Sequence, residues 1–185
     1  MPAFYLTLIA VLLAGIGARD QVTVAGLALR QGPRPGILVV ALASAGATAV
    51  FATWAATALL AQLPPPARTI FVAIALALAG LESLILRPRR NPREPTHSLG
   101  ALLLVLLAHQ VTDAARFLVF GMGVGFGAPL ASGAAGILGG GVLVAFAWGW
   151  PHLLDTAAAR WTRRGVGGVL SLVALTIFLS EIGIL

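Results

Sequence analysis

Between Arg34 and Arg68 the chain carries no charged residue at all. Wound as a helix at ~1.5 Å per residue, such a run is long enough to cross the ~30 Å hydrocarbon layer of a bilayer. It offers no charged face to water, so it is not the surface helix of a soluble domain. The rest of the chain follows suit, with 59% of residues hydrophobic and 10% charged, against about 25% charged in soluble domains. The mean hydropathy is +0.98. Six spans of ~20 residues need ~120 of the 185 residues, which leaves no room for a separate extramembrane domain. The expected fold class is all-α, an integral membrane protein with six transmembrane helices.

The sequence contains no cysteine, which excludes disulfides, thiolate metal sites and Cys nucleophiles. All 12 basic residues are Arg, against 6 acids, for a formal charge of +6. They cluster in short loops beside apolar runs, the pattern of cytoplasmic anchoring to anionic headgroups and not of a nucleic-acid face. No basic residue precedes the first apolar run, 4–14, and no suitable cleavage site follows it, so a cleaved signal peptide is not expected. Without Lys there is no P-loop, and neither a Ser-His-Asp order nor a metalloprotease motif occurs. Neither an enzyme nor a bound cofactor is expected.

The first apolar run meets a polar patch at 15–23 and resumes at 24–29, which makes it an interrupted span. Span two covers about 36–63 and ends at Pro64-Pro65-Pro66, and span three covers about 69–86. The stretch RPRRNPREPTH, 87–97, reads as the central loop. Span four opens near Leu99 and is interrupted by HQVTDAAR, 109–116, before a Gly-rich turn, GMGVGFG. Span five covers about 129–150 and span six about 166–185, with Asp155, Arg160, Arg163 and Arg164 in the loop between them. Residues 1–90 and 98–185 are then comparable three-span units joined by the central cytoplasmic loop, 91–97. Three is odd, so the second unit enters the bilayer from the opposite side. That makes an inverted repeat, the architecture of secondary transporters, whose site lies at the midplane where interrupted helices meet.

Arg counts orient the chain. Loops one, three and five hold Arg30 and Arg34, then Arg87, Arg89, Arg90 and Arg93, then Arg160, Arg163 and Arg164, whereas loops two and four hold only Arg68. The odd loops are therefore expected in the cytoplasm and both termini outside. Trp148, Trp150 and Trp161 then fall near the cytoplasmic face as an aromatic belt.

Arg19, Asp20, Asp113 and Arg116 lie within apolar spans and away from their ends. Each costs at least ~2.5–3.5 kcal/mol at that depth on insertion scales. An ion or proton pathway explains them, and so does a set of buried salt bridges that fixes how spans one and four pack. The expected pairs are Asp113 with Arg116, Asp20 with Arg116, and Arg19 with Asp113. His109 stands four residues before Asp113, which stands three before Arg116, so one helix face could present imidazole, carboxylate and guanidinium together. Imidazole and carboxylate suit a first-row divalent ion, although a capping or packing histidine has the same spacing. Glu82 and Glu181 sit toward span ends, where snorkelling or pairing with a loop Arg is expected. Gly121, Gly123, Gly125 and Gly127 alternate, while Gly136 and Gly140 are spaced for close helix contact.

Two interrupted spans, one opening each half of a six-helix chain, resemble the GDT-type family, the transmembrane-protein-165-like manganese and calcium transporters and their bacterial relatives. Members carry Glu-x-Gly-Asp-[Lys/Arg]-[Ser/Thr]-Gln once per half. The first copy here is GIGARDQ, in which Gly17, Arg19 and Gln21 match, Gly15 takes the Glu place and Ala18 the Asp place. The second is QVTDAARF, in which Asp113 matches, Gln110 takes the Glu place, Thr112 the Gly place and Arg116 the Gln place. The resemblance implies exchange of manganese or calcium for protons across a bacterial cytoplasmic (inner) membrane. Asp113, Gln110, Asp20 and His109 are then the candidate metal-lining residues, and Gly15, Gly17, Ala18, Arg19, Gln21, Thr112 and Arg116 are motif-equivalent or counterion positions. The implied partners are membrane lipid, a divalent cation with protons and, in a homodimer, a second copy of the chain, with no nucleic acid. Two further readings stay open: a transport-inactive relative with a structural or regulatory role, in which Arg19 and Arg116 take the cation's place, and an exporter of a small organic solute.

Overall fold

The computed structural model describes residues 2–86 and 98–185. The expected central loop, with Arg87, Arg89, Arg90, Arg93 and the boundary 91–97, lies outside the described residues. In chain order the helices are α1 (Pro2–Gly15), α2 (Arg19–Gln31), α3 (Pro35–Leu60), α4 (Pro65–Ile85), α5 (Leu99–Val111), α6 (Ala114–Gly125), α7 (Pro129–Gly149) and α8 (Ala157–Glu181), and a 3₁₀ turn, Pro151–Asp155, precedes α8. Pro stands at the start of α3, α4 and α7, where the N–H it lacks is one a helix leaves unpaired. Ser98, Asp113 and Thr156 cap α5, α6 and α8 by accepting from Ala101, Ala115 and Ala159 N–H.

Helices α3, α4, α7 and α8 are each long and apolar enough to cross a membrane. The pairs α1–α2 and α5–α6 pass the same test only together, bent by 56° and 52° at their breaks. Among the described residues the all-α fold thus holds four candidate spans, or six if each bent pair is one span, and is compatible with a polytopic membrane protein. Both breaks fall inside the polar patches where interruption is expected.

Two expectations are corrected. Span six starts at Ala157, not near 166, because Thr156 caps a run of three Ala and the Arg that follow are good helix formers. Arg160, Arg163 and Arg164 are therefore helical residues of α8, not loop residues. The supposed Gly-rich turn is mostly helix: Gly121, Gly123 and Gly125 belong to α6, where they let it approach Ala75 and Val72 of α4 and Ala56 of α3. Only Gly127, at φ 59, makes the turn that follows.

The interior is built from small residues. Along α3, Ala41, Ala45, Ala49, Ala52 and Ala56 recur at helical spacing and are all buried. The large side chains point outward, among them Val39, Trp54, Leu104, Leu130 and Leu172. In water this arrangement would expose an unsupportable apolar surface. Between helices in lipid it is the expected one, since close backbone approach replaces the hydrophobic drive.

Corresponding helices of the two halves pack against each other. Leu42 of α3 reaches Gly141 of α7, and Thr53 reaches Gly133, so the two run antiparallel. Ser83 of α4 meets Gly167 of α8 and Gly80 meets Ser171, again antiparallel. α1 lies parallel to α7, through Thr7 with Ser132 and Val11 with Gly139. α5 lies parallel to α3 in the same way, through Leu99 with Gly36 and Gln110 with Thr48.

Candidate functional site

The first break, residues 16–18, turns at Gly17, whose φ of 71 is the left-handed conformation that glycine adopts without strain. Gln21, 1% exposed, closes it. Gly17 N–H donates to Gln21 Oε1 at 3.1 Å, and Gln21 Nε2 donates to Gly15 O. One side chain thereby satisfies an amide in the turn and adds a second donor to Gly15 O, which also accepts from Ala18 N–H at 3.0 Å. Gly15 packs on Leu143, whose side chain takes the room a side chain at Gly15 would need. Ala18 is buried beside it.

The second break, Thr112 and Asp113, is closed by Asp113 as the cap of α6, its Oδ2 accepting from Ala115 N–H at 3.3 Å. Asp113 is 5% exposed, and its Oδ1 has no hydrogen-bond partner. Asp113 is the cap of α6, whereas the cap position of α2 is Ala18 and Asp20 lies two residues later in its first turn, so both second half-helices carry a carboxylate near the positive end of the dipole.

The two breaks are tied together by adjacent residues of α2. Arg19 Nη2 donates to Thr112 Oγ1 at 2.8 Å, Thr112 O at 3.2 Å and His109 O at 3.3 Å. Asp20 Oδ2 accepts from Gln110 Nε2 at 2.9 Å, and its Oδ1 accepts from Gln21 N–H at 2.7 Å. Two polar chains run inward from here. In one, Thr48 Oγ1 donates to Ser44 O at 2.9 Å, stands 3.4 Å from Gln110 Oε1 and accepts from Arg116 Nε at 2.8 Å, while Arg116 Nη2 donates to Ala45 O at 3.2 Å. The Arg116 guanidinium rests on Gly140 of α7, where a Cβ would stand 2.9 Å from Nη2. In the other, Arg19 Nε stands 3.5 Å from Glu82 Oε1, and Arg163 Nη2 donates to Glu82 Oε2 at 2.6 Å.

The expected Asp–Arg pairs are not the ones formed. Both ion pairs found among the described residues converge on Glu82. Asp20 takes amide donors, Asp113 takes a helix terminus and Arg116 takes oxygens of α3, because helix ends and Gln side chains stand closer than the opposing guanidinium groups. Glu82 does not snorkel. It is 6% exposed, and Arg163, its partner, is buried one turn and a half into α8.

Of the candidate metal-lining residues, Asp20 and Gln110 are in direct contact, Asp113 lies at the neighbouring break, and His109 brings its carbonyl to Arg19. Among the described residues no three His, Cys, Asp or Glu side chains group together as a metal site. Three acids (Asp20, Glu82, Asp113) and three bases (Arg19, Arg116, Arg163) surround the breaks and sum to zero. Glu82, Arg163 and Thr48 are additions to the expected site. Arg163 shares a helical stripe with the small residues Ala159, Gly167 and Ala174, and that spacing is the signal in the sequence that places it inside.

Comparison with protein-family models, curated protein sequences and solved structures finds no match to this chain.

Proposed function

We propose that this chain is a polytopic membrane transporter built as two inverted three-span repeats, with its substrate site where the two broken helices meet. The observation that carries this reading is the joining of the breaks, with Arg19 and Asp20 of one held on His109, Gln110 and Thr112 of the other. Interrupted backbone is retained at membrane depth where it lines a cavity or a site, and ionisable groups there mark substrate and ion pathways. The antiparallel pairing of α3 with α7 and of α4 with α8 supports the inverted repeat.

The cargo we assign is a divalent cation, manganese or calcium, exchanged for protons. Its support is the resemblance of the two motif stretches and the oxygen donors gathered at the end of α5. The membrane assigned is a bacterial cytoplasmic membrane, with both termini outside. The test is flux of manganese and calcium into proteoliposomes holding the full chain, with and without a pH gradient. Flux of either ion that responds to the gradient is expected. Absence of both favours the second reading, a transport-inactive relative, for which the zero charge of the six ionisable groups is the specific support.

A further inference from the structure

At the end of α5 three oxygens converge on one guanidinium group: Thr112 Oγ1, Thr112 O and His109 O lie 2.8, 3.2 and 3.3 Å from Arg19 Nη2. A fourth, Glu82 Oε1, stands 3.5 Å from Arg19 Nε, on a side chain only 4% exposed, and accepts no hydrogen bond. Carbonyls at a helix C-terminus carry the negative end of its dipole. Carbonyl, hydroxyl and carboxylate oxygens are the donors that hard cations take. The Arg19 side chain is 21% exposed and Thr112 is exposed, whereas Asp20, Glu82, Asp113, Arg116 and Arg163 are buried. The guanidinium is thus the outermost of the six charged groups.

We infer that Arg19 is a tethered cation plugging an oxygen-lined cation site of its own chain, formed by Glu82 Oε1, Thr112 Oγ1, Thr112 O and His109 O, and that a free metal cation takes this site when Arg19 withdraws. The inference rests on the transport reading for its physiological cargo but not for the site itself. Charge sets the class of ligand. With Arg19 seated the six groups sum to zero; with it withdrawn the remaining five sum to −1, so the site takes cations and repels anions. Its one carboxylate, Glu82, comes from outside both motif stretches.

The chain has no cysteine, so Arg19→Cys supplies a single thiol. Binding of Mn²⁺ to the purified full chain in detergent is read from the loss of the free-ion electron paramagnetic resonance signal. Arg19→Cys is expected to bind Mn²⁺ at least about tenfold more tightly than the wild type. Aminoethyl methanethiosulfonate, which rebuilds a cationic side chain, should cancel the gain, and methyl methanethiosulfonate should leave it. Adding Glu82→Gln should abolish it. Arg19→Lys, which keeps the charge that the fold needs, should show a smaller gain. No gain in either single variant, a gain indifferent to the charge of the adduct, or one that survives Glu82→Gln overturns the plug. A gain without wild-type flux of manganese or calcium upholds the site and overturns the transport reading, whereas wild-type flux without a gain overturns the plug alone.

Discussion

Asp113 and Arg163 are both buried, yet they hold different things. Asp113 caps α6 through one oxygen and leaves the other without a partner, and under the proposed transport reading that free oxygen is the one that meets the cation. Asn also caps helices, so Asp113→Asn removes the charge and keeps the turn. It is expected to abolish manganese flux, whereas Glu181→Gln, at the exposed end of α8, should leave flux at the wild-type level. Equal flux in both variants would remove Asp113 from the site. Arg163 instead completes a buried pair. Arg163→Ala leaves Glu82 with only the longer contact to Arg19 and should cost about 3–5 kcal/mol in unfolding experiments in detergent. Arg160→Ala and Arg164→Ala, both exposed, should stay within about 0.5 kcal/mol. Arg19, Asp20, Gln110, Asp113 and Arg116 are legible in the sequence because polar groups inside apolar runs stand out. Glu82 and Arg163 are not picked out that way. Among three Arg within five residues, only the register of Arg163 with Ala159, Gly167 and Ala174 marks the one that points inward, and that register is readable only once the stretch is taken as helix from Ala157.

Where the helices lie follows from the long uncharged runs and from the Pro that open α3, α4 and α7. Which helix meets which does not follow, because small-residue stripes state that an approach is close without naming the partner. The α4–α8 contact shows what such an approach requires. A Cβ on Gly80 would stand 2.8 Å from Gly167 O and 2.9 Å from Ser171 N, backbone atoms that cannot rotate away. Gly80→Ala should therefore force the two helices apart and lower stability by about 1–3 kcal/mol. Gly168, one residue along α8, would meet nothing within 4 Å, and Gly168→Ala should be neutral or stabilising by up to ~1 kcal/mol through helix propensity. Thermal unfolding of both variants in the same detergent measures the difference. Equal melting temperatures would mean that α4 and α8 do not share this contact.

For the whole molecule, the first bent pair decides the topology. A re-entrant hairpin would return the chain to the side it entered from, whereas a broken span delivers it to the other. At 56° the bend is well short of a reversal, so α2 continues in the general direction of α1. Trp148 Nε1 donates to Arg34 O at 3.1 Å, which brings the end of α7 to the turn before α3, and Leu99, opening α5, lies against Gly36. The first and fifth loops and the end of the third thus share one end of the bundle, as the two crossings between each and the next require. Arg163 is buried and no longer counts as a loop charge, yet Arg30, Arg34, Arg160 and Arg164 still bias that end toward the cytoplasm. With no native cysteine, single-Cys variants in intact cells test this directly. A membrane-impermeant maleimide should label Gln62→Cys at once, and Pro33→Cys and Arg164→Cys only after lysis. An epitope tag before Pro2 should be reached from outside. A tag reached only after lysis, with Pro33→Cys also hidden, would make α1 and α2 a re-entrant hairpin and would remove the odd number of crossings on which the inverted repeat depends.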